Sequence, residues 1–88
     1  MSEFNFPEYR KYSDLKTYFK LVSADQFTEL KRIGNYYSIS EFKASIHPER
    51  MFIHDLLTLN TEFILLSSEQ EYEQTKLGWE NELVKTVI

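Results

Sequence analysis

Cysteine is absent from the 88-residue chain, and glycine and proline occur only twice each. Without cysteine there are no disulfides, no thiolate nucleophile and no sulfur-ligated zinc. Small secreted domains commonly carry disulfide staples, so the expected compartment is a reducing one, the cytoplasm. The stretch from Met1 to Pro7 has no basic start followed by an apolar run, which predicts no signal peptide. The longest apolar run, Phe63-Ile64-Leu65-Leu66, is far short of the ~20 residues of a membrane-spanning helix. Scarce Gly and Pro argue against a collagenous, repeat or linker-like chain. Gly34 and Gly78 stand alone, so no loop is built to cradle a phosphate, and no Gly-x-Ser-x-Gly elbow presents a serine nucleophile. These absences leave no catalytic residue, metal or cofactor to assign.

What is present is enough to fold. Apolar residues make up 42% of the chain and aromatics 16%, more burial than a disordered segment carries. A chain this short supports one thin core, hence one domain. The net charge of −4 is unevenly spread: residues 1–50 hold eight Lys/Arg against seven Asp/Glu, and residues 51–88 hold two against seven. The acidic C-terminal part makes indiscriminate attraction to nucleic acid or anionic membrane unexpected.

Residues 1–13 read as a lead-in, an edge strand or a loosely held arm, before a single α+β domain over residues 14–88. Lys16–Val22, aromatic and β-branched, predicts a first strand. Ser23-Ala24-Asp25-Gln26 has the form of a capping box and predicts a helix to Ile33, with Phe27, Leu30 and Ile33 on one face and Gly34 ending it. Asn35–Lys43 predicts a second strand, and Pro48 the first turn of a helix that begins near His47. Thr61–Leu66, the most apolar stretch, predicts a central third strand. Ser68-Glu69-Gln70-Glu71 is a second capping box, opening the longest helix, directed towards Thr86. The fold expected is therefore β-α-β-α-β-α, two-layered, with a three-stranded sheet covered by helices.

His47 and His54 lie about two helical turns apart, with Asp55 and Glu49 nearby. Helical metal motifs use spacings of three or four residues, and no third ligand has a fixed register, so these read as a helix-start residue and a surface histidine. The glutamates over residues 62–82 read as a solvated face, with Glu73–Lys76 and Glu82–Lys85 at ion-pair spacing.

The last helix carries the strongest interaction signal. Tyr72, Trp79 and Leu83 recur at helical steps, while Leu77, Val84 and Ile88 form a second apolar stripe. Gly78 costs such a helix about 0.5–1 kcal/mol, which predicts close approach of a backbone or ring there. The expected function is a non-enzymatic protein–protein interaction module, an adaptor or inhibitor. Glu71, Tyr72, Leu77, Gly78, Trp79, Leu83, Val84 and Ile88 form its contact surface, and another protein or a second copy is its partner. The alternative is a nucleic-acid regulator acting through Arg10, Lys11, Lys16, Lys20, Lys31 and Arg32, which interleave with aromatics. An acidic phage- or plasmid-type inhibitor that imitates nucleic acid through its glutamates is a further variant.

Overall fold

The computed structural model describes residues 4–85. Four strands follow one another as an antiparallel meander: β1 (Glu8–Tyr12), β2 (Thr17–Ser23), β3 (Gln26–Ile33) and β4 (Tyr36–Lys43). Helix α1 (His47–Thr58), strand β5 (Ile64–Leu66), helix α2 (Glu69–Glu82) and strand β6 (Val84–Lys85) complete the order. The six strands form one mixed sheet, β5-β1-β2-β3-β4-β6, antiparallel except where β6 joins β4.

Successive strand residues point to opposite faces, and here both faces are buried. Phe19, Leu21 and Phe27 meet Ile53, Leu56 and Leu57 of α1 on one face. Tyr9, Tyr18, Leu30 and Tyr37 meet Tyr72 and Trp79 of α2 on the other. The three-layer arrangement corrects the expected three-stranded, two-layered β-α-β-α-β-α fold.

The departure begins at Ser23. Its hydroxyl donates to Asp25 Oδ1 at 2.7 Å and accepts from the Asp25 amide at 3.3 Å. That closes a two-residue hairpin between the paired Ser23 and Gln26 rather than opening a helix. The spacing of Phe27 and Leu30 suits a helix with one apolar face equally well as a strand with two. On β3 an interval of three places them on opposite faces, one in each core. Gly34, at φ +61°, holds the first central position of the β3–β4 hairpin, between the paired Ile33 and Tyr36. It ends no helix.

Two further expectations are corrected. The most apolar stretch lies at the margin of the sheet, not its centre, because among the described residues β5 pairs only with β1, and Leu65 and Leu66 are exposed. The lead-in supplies β1, which is hydrogen-bonded on both sides.

Arg10 ties the layers together. It is 4% exposed, on the α1 face, and donates from Nε to the Leu56 carbonyl at 2.9 Å and from Nη2 to the Leu57 carbonyl at 3.1 Å. Nη1 donates to the Tyr9 carbonyl at 2.7 Å and to Glu8 Oε1 at 3.3 Å. Carbonyls in the last turn of a helix have no intrahelical donor and sit at the negative end of its dipole. The last turn of α1 contains no basic residue, so β1 provides the cation. At the other end Glu49 accepts from the Ser45 and Ile46 amides, which hold its carboxyl below the ordinary glutamate pKa.

Among the described residues no helix is long and apolar enough to cross a membrane, and no three His, Cys, Asp or Glu side chains converge as a metal site would require.

Candidate functional site

The C-terminal helix turns its aromatic residues inward. Tyr72 and Trp79 are buried, Tyr72 against Tyr9 at 5.5 Å between ring centroids and Trp79 edge-on to Tyr18 at 5.8 Å. Burial in that cluster, with the Glu73 carboxylate nearby, raises the Tyr72 phenol to about 12. Glu71 accepts from Lys11 Nζ at 2.7 Å and from Ser67 Oγ at 2.6 Å, and these bonds lower its pKa. Leu83 is half-buried against the same cluster. Leu77 and Val84 point outward, at 60% and 61% exposure, Val84 from β6 rather than from the helix. Ile88 lies outside the described residues. The expected contact set is thus divided between core, ion pair and surface.

Gly78 also departs from expectation. A Cβ built there meets no atom of the described residues within 4 Å, so no close approach among them requires glycine. Gly78→Ala should therefore stabilise the protein by about 0.5–1 kcal/mol, the helical cost of glycine. Chemical denaturation checks it; destabilisation would mean that the helix surface around Gly78 is not open.

The basic residues of the alternative reading are dispersed. Arg10 is buried under α1 and Lys11 is paired with Glu71. On β3, Lys31 and Arg32 point to opposite faces by alternation.

A recess lies on the α1 side, at the end of the sheet where the β1–β2 turn meets the α1–β5 loop. It is a cleft of about 450 Å³, walled by Tyr12, Phe52, Phe63 and Ile64, with Asp14 and Asp55 on its lining. That volume lies within the ~300–1,000 Å³ usual for ligand sites. Its rings are anchored in the core: Tyr12 and Phe52 each pack edge-on against Phe19, at 5.1 and 5.9 Å. Burial raises the Tyr12 pKa, with Glu29 and Asp14 adding to the effect, so the phenol keeps its proton at neutral pH.

Two local structures hold the carboxylates. Asp14 Oδ1 accepts from the Lys16 amide at 2.9 Å, and the intervening Leu15 adopts φ +59°. Asp55 Oδ1 accepts from Asn60 Nδ2 at 3.0 Å, while the Asp55 carbonyl accepts from the Leu59 and Asn60 amides. Leu59, at φ +54°, occupies the left-handed position at the end of α1 that glycine usually fills. Leu15 and Leu59 are the non-glycine residues in that region among those described, and each costs about 1–2 kcal/mol there. Among the described residues neither Asp14 nor Asp55 has a Lys, Arg or His within ion-pair distance.

The cleft continues onto the open edge of β5. Phe63 accepts from the Ser13 amide at 2.8 Å and Ser67 donates to the Tyr9 carbonyl at 3.1 Å, so these residues bond towards β1. By alternation, the backbone groups of Ile64 and Leu66 face away from it. The Ile64 amide is taken by the Thr61 carbonyl at 3.3 Å. The Ile64 carbonyl and both groups of Leu66 remain directed to the edge. Phe63 and Leu66 are 62% and 63% exposed beside them.

The amino-acid pattern offers Asp55 only as a metal ligand and Tyr12 only among the aromatics of a nucleic-acid platform, and it points to none of the other cleft residues. The lining comes from residues 12 to 64, and only the topology gathers it. No protein-family model, curated protein or solved structure matches the chain, so the reading of this site rests on its own geometry.

Proposed function

We propose that the chain is a non-enzymatic protein-interaction module whose contact surface is the outer edge of β5 with the adjoining cleft. The observation that carries this reading is the exposure of Leu65 and Leu66 on β5, with Phe63 just before it, on a strand whose other edge has no partner among the described residues. An unpaired edge is a template for an extended segment of another polypeptide: backbone bonds supply affinity and side-chain recesses supply selectivity. A cleft walled by rings and two carboxylates suits binding rather than bond-breaking.

A second surface has its own support at the opposite edge. Ile33, Tyr36 and Val84 are in register across β3, β4 and β6 and all more than half exposed, the row on which a second copy would dock.

One experiment separates the two. The tagged chain, passed over lysate of its source at high salt, should retain a stoichiometric protein partner. Leu66→Glu should lower retention at least tenfold through a charge on the pairing edge, while Val84→Glu leaves it unchanged. Loss with Val84→Glu alone, or a ring of copies of the chain itself as the only partner, would transfer the function to the β6 edge. Retention unaffected by either substitution would overturn both.

A further inference from the structure

We infer that the cleft beside β5 receives a basic side chain, arginine above all, carried by the extended partner segment that pairs with that strand. The inference rests on the proposed role of the β5 edge and specifies what the edge selects.

The geometry is that of neighbouring strands. A residue placed opposite Ile64 on an added strand projects its side chain to the same face of the sheet as Ile64. Ile64 already lines the cleft on that face, beside Phe63 and Tyr12. The incoming side chain therefore enters between aromatic walls.

The chemistry of the lining then chooses the side chain. Ring faces attract cations, and a planar guanidinium stacks on them while donating several hydrogen bonds. Asp14 and Asp55 each retain one carboxylate oxygen that accepts no hydrogen bond from a described residue, since Lys16 and Asn60 engage only Oδ1. Neither is neutralised by a described cation of the chain. An acidic partner segment meets two like charges here, and a purely aliphatic one leaves both carboxylates without a counter-charge. A net charge of −4 extends the preference for basic partners to the whole molecule.

The test uses the intact chain labelled with ¹⁵N and three acetylated, amidated octapeptides of alternating threonine and valine. They differ at one central position, which is arginine, norleucine or glutamate. All three should shift the amide resonances of residues 63–67, with the arginine peptide about tenfold tighter than the norleucine peptide and the glutamate peptide weakest. The advantage of arginine should shrink with added salt and vanish in the Asp14→Asn/Asp55→Asn variant, whose amide oxygens keep the two existing acceptor roles. Phe63→Ala, which leaves both carboxylates in place, should also reduce it.

Equal affinity of the arginine and norleucine peptides, with the edge amides still shifting, would overturn the inference and leave the β5 edge standing. No shift of residues 63–67 with any peptide would overturn both. Arginine methyl ester that matched the arginine peptide in affinity would show a small-cation site, and so overturn the commitment to a partner strand.

Discussion

Arg10→Met should lower the stability of the protein by about 2–4 kcal/mol, and its melting temperature by roughly 10–30 °C. Arg10 reaches the Leu56 and Leu57 carbonyls at the end of α1 and the Tyr9 carbonyl of its own strand, all buried. Methionine fills a similar volume and donates nothing. The Tyr9 carbonyl keeps its bond from the Ser67 amide, but the Leu56 and Leu57 carbonyls are left unsatisfied at about 1–3 kcal/mol each, and losing a cation at a helix C-terminus adds up to about 2. Part of this is offset, because a charge no longer has to be desolvated. Against a total stability of ~5–15 kcal/mol the remainder is large. Arg10→Lys keeps the charge but not the fork, so it should fall between the two. Chemical denaturation of the three proteins gives the order. A loss below about 1 kcal/mol for Arg10→Met would mean that water or a shifted side chain takes over the carbonyls.

That role is half-visible in the chain. Residues 47–58 hold Pro48 and Glu49 in the first turn but no basic residue in the last, an imbalance that the amino-acid order displays by itself. Its correction lies 46 residues earlier, and no local rule connects Arg10 to Leu56. By composition Arg10 groups instead with the surface bases of a nucleic-acid platform. A charged residue in an alternating strand is ordinarily an outward one, and only a sheet with both faces covered turns it inward.

The same two-sidedness explains the main departure of the fold from expectation. Tyr18-Phe19 and the Phe27/Leu30 pair place large side chains on both faces. A one-sided strand alternates cleanly, whereas a two-sided one loses its period of two and imitates a helical stripe. Where local chemistry is unambiguous the elements are legible: β2, β4 and α1 form where expected, and the Ser68 hydroxyl caps α2 by accepting from the Glu71 amide at 3.1 Å. The Ser23 box has the same Ser-x-x-Glu/Gln form but meets a hairpin, since a serine hydroxyl serves a turn as readily as a helix start. The cleft has no signal at all. Its aromatic and acidic residues are ordinary one by one, and their convergence follows from α1 crossing one face to deliver β5 beside β1.

Trp79→Ala should cost about 3–5 kcal/mol, the usual range for truncating a buried large aromatic. The reason lies in how little else holds α2. Its buried residues are Tyr72 and Trp79, two turns apart, and the rest of its surface is largely glutamate, glutamine and other exposed side chains. Without the indole, Tyr18 loses its edge-on ring partner and the second core loses its largest side chain. One anchor then remains, at the N-terminal end of α2, so the C-terminal half of the helix and β6 should open before the rest of the sheet. Amide exchange over residues 76–85 should therefore accelerate more than over α1, where Ile53, Leu56 and Leu57 are untouched. Trp79→Phe, which keeps a ring against Tyr18, should lose less than half as much. The same variant separates packing from recognition. Because Trp79 is 7% exposed beneath α2 and the cleft opens on the other face, Trp79→Phe should leave partner binding at the β5 edge intact. Binding lost with Trp79→Phe in a protein still folded would return the contact surface to the helix, where the amino-acid pattern alone would place it.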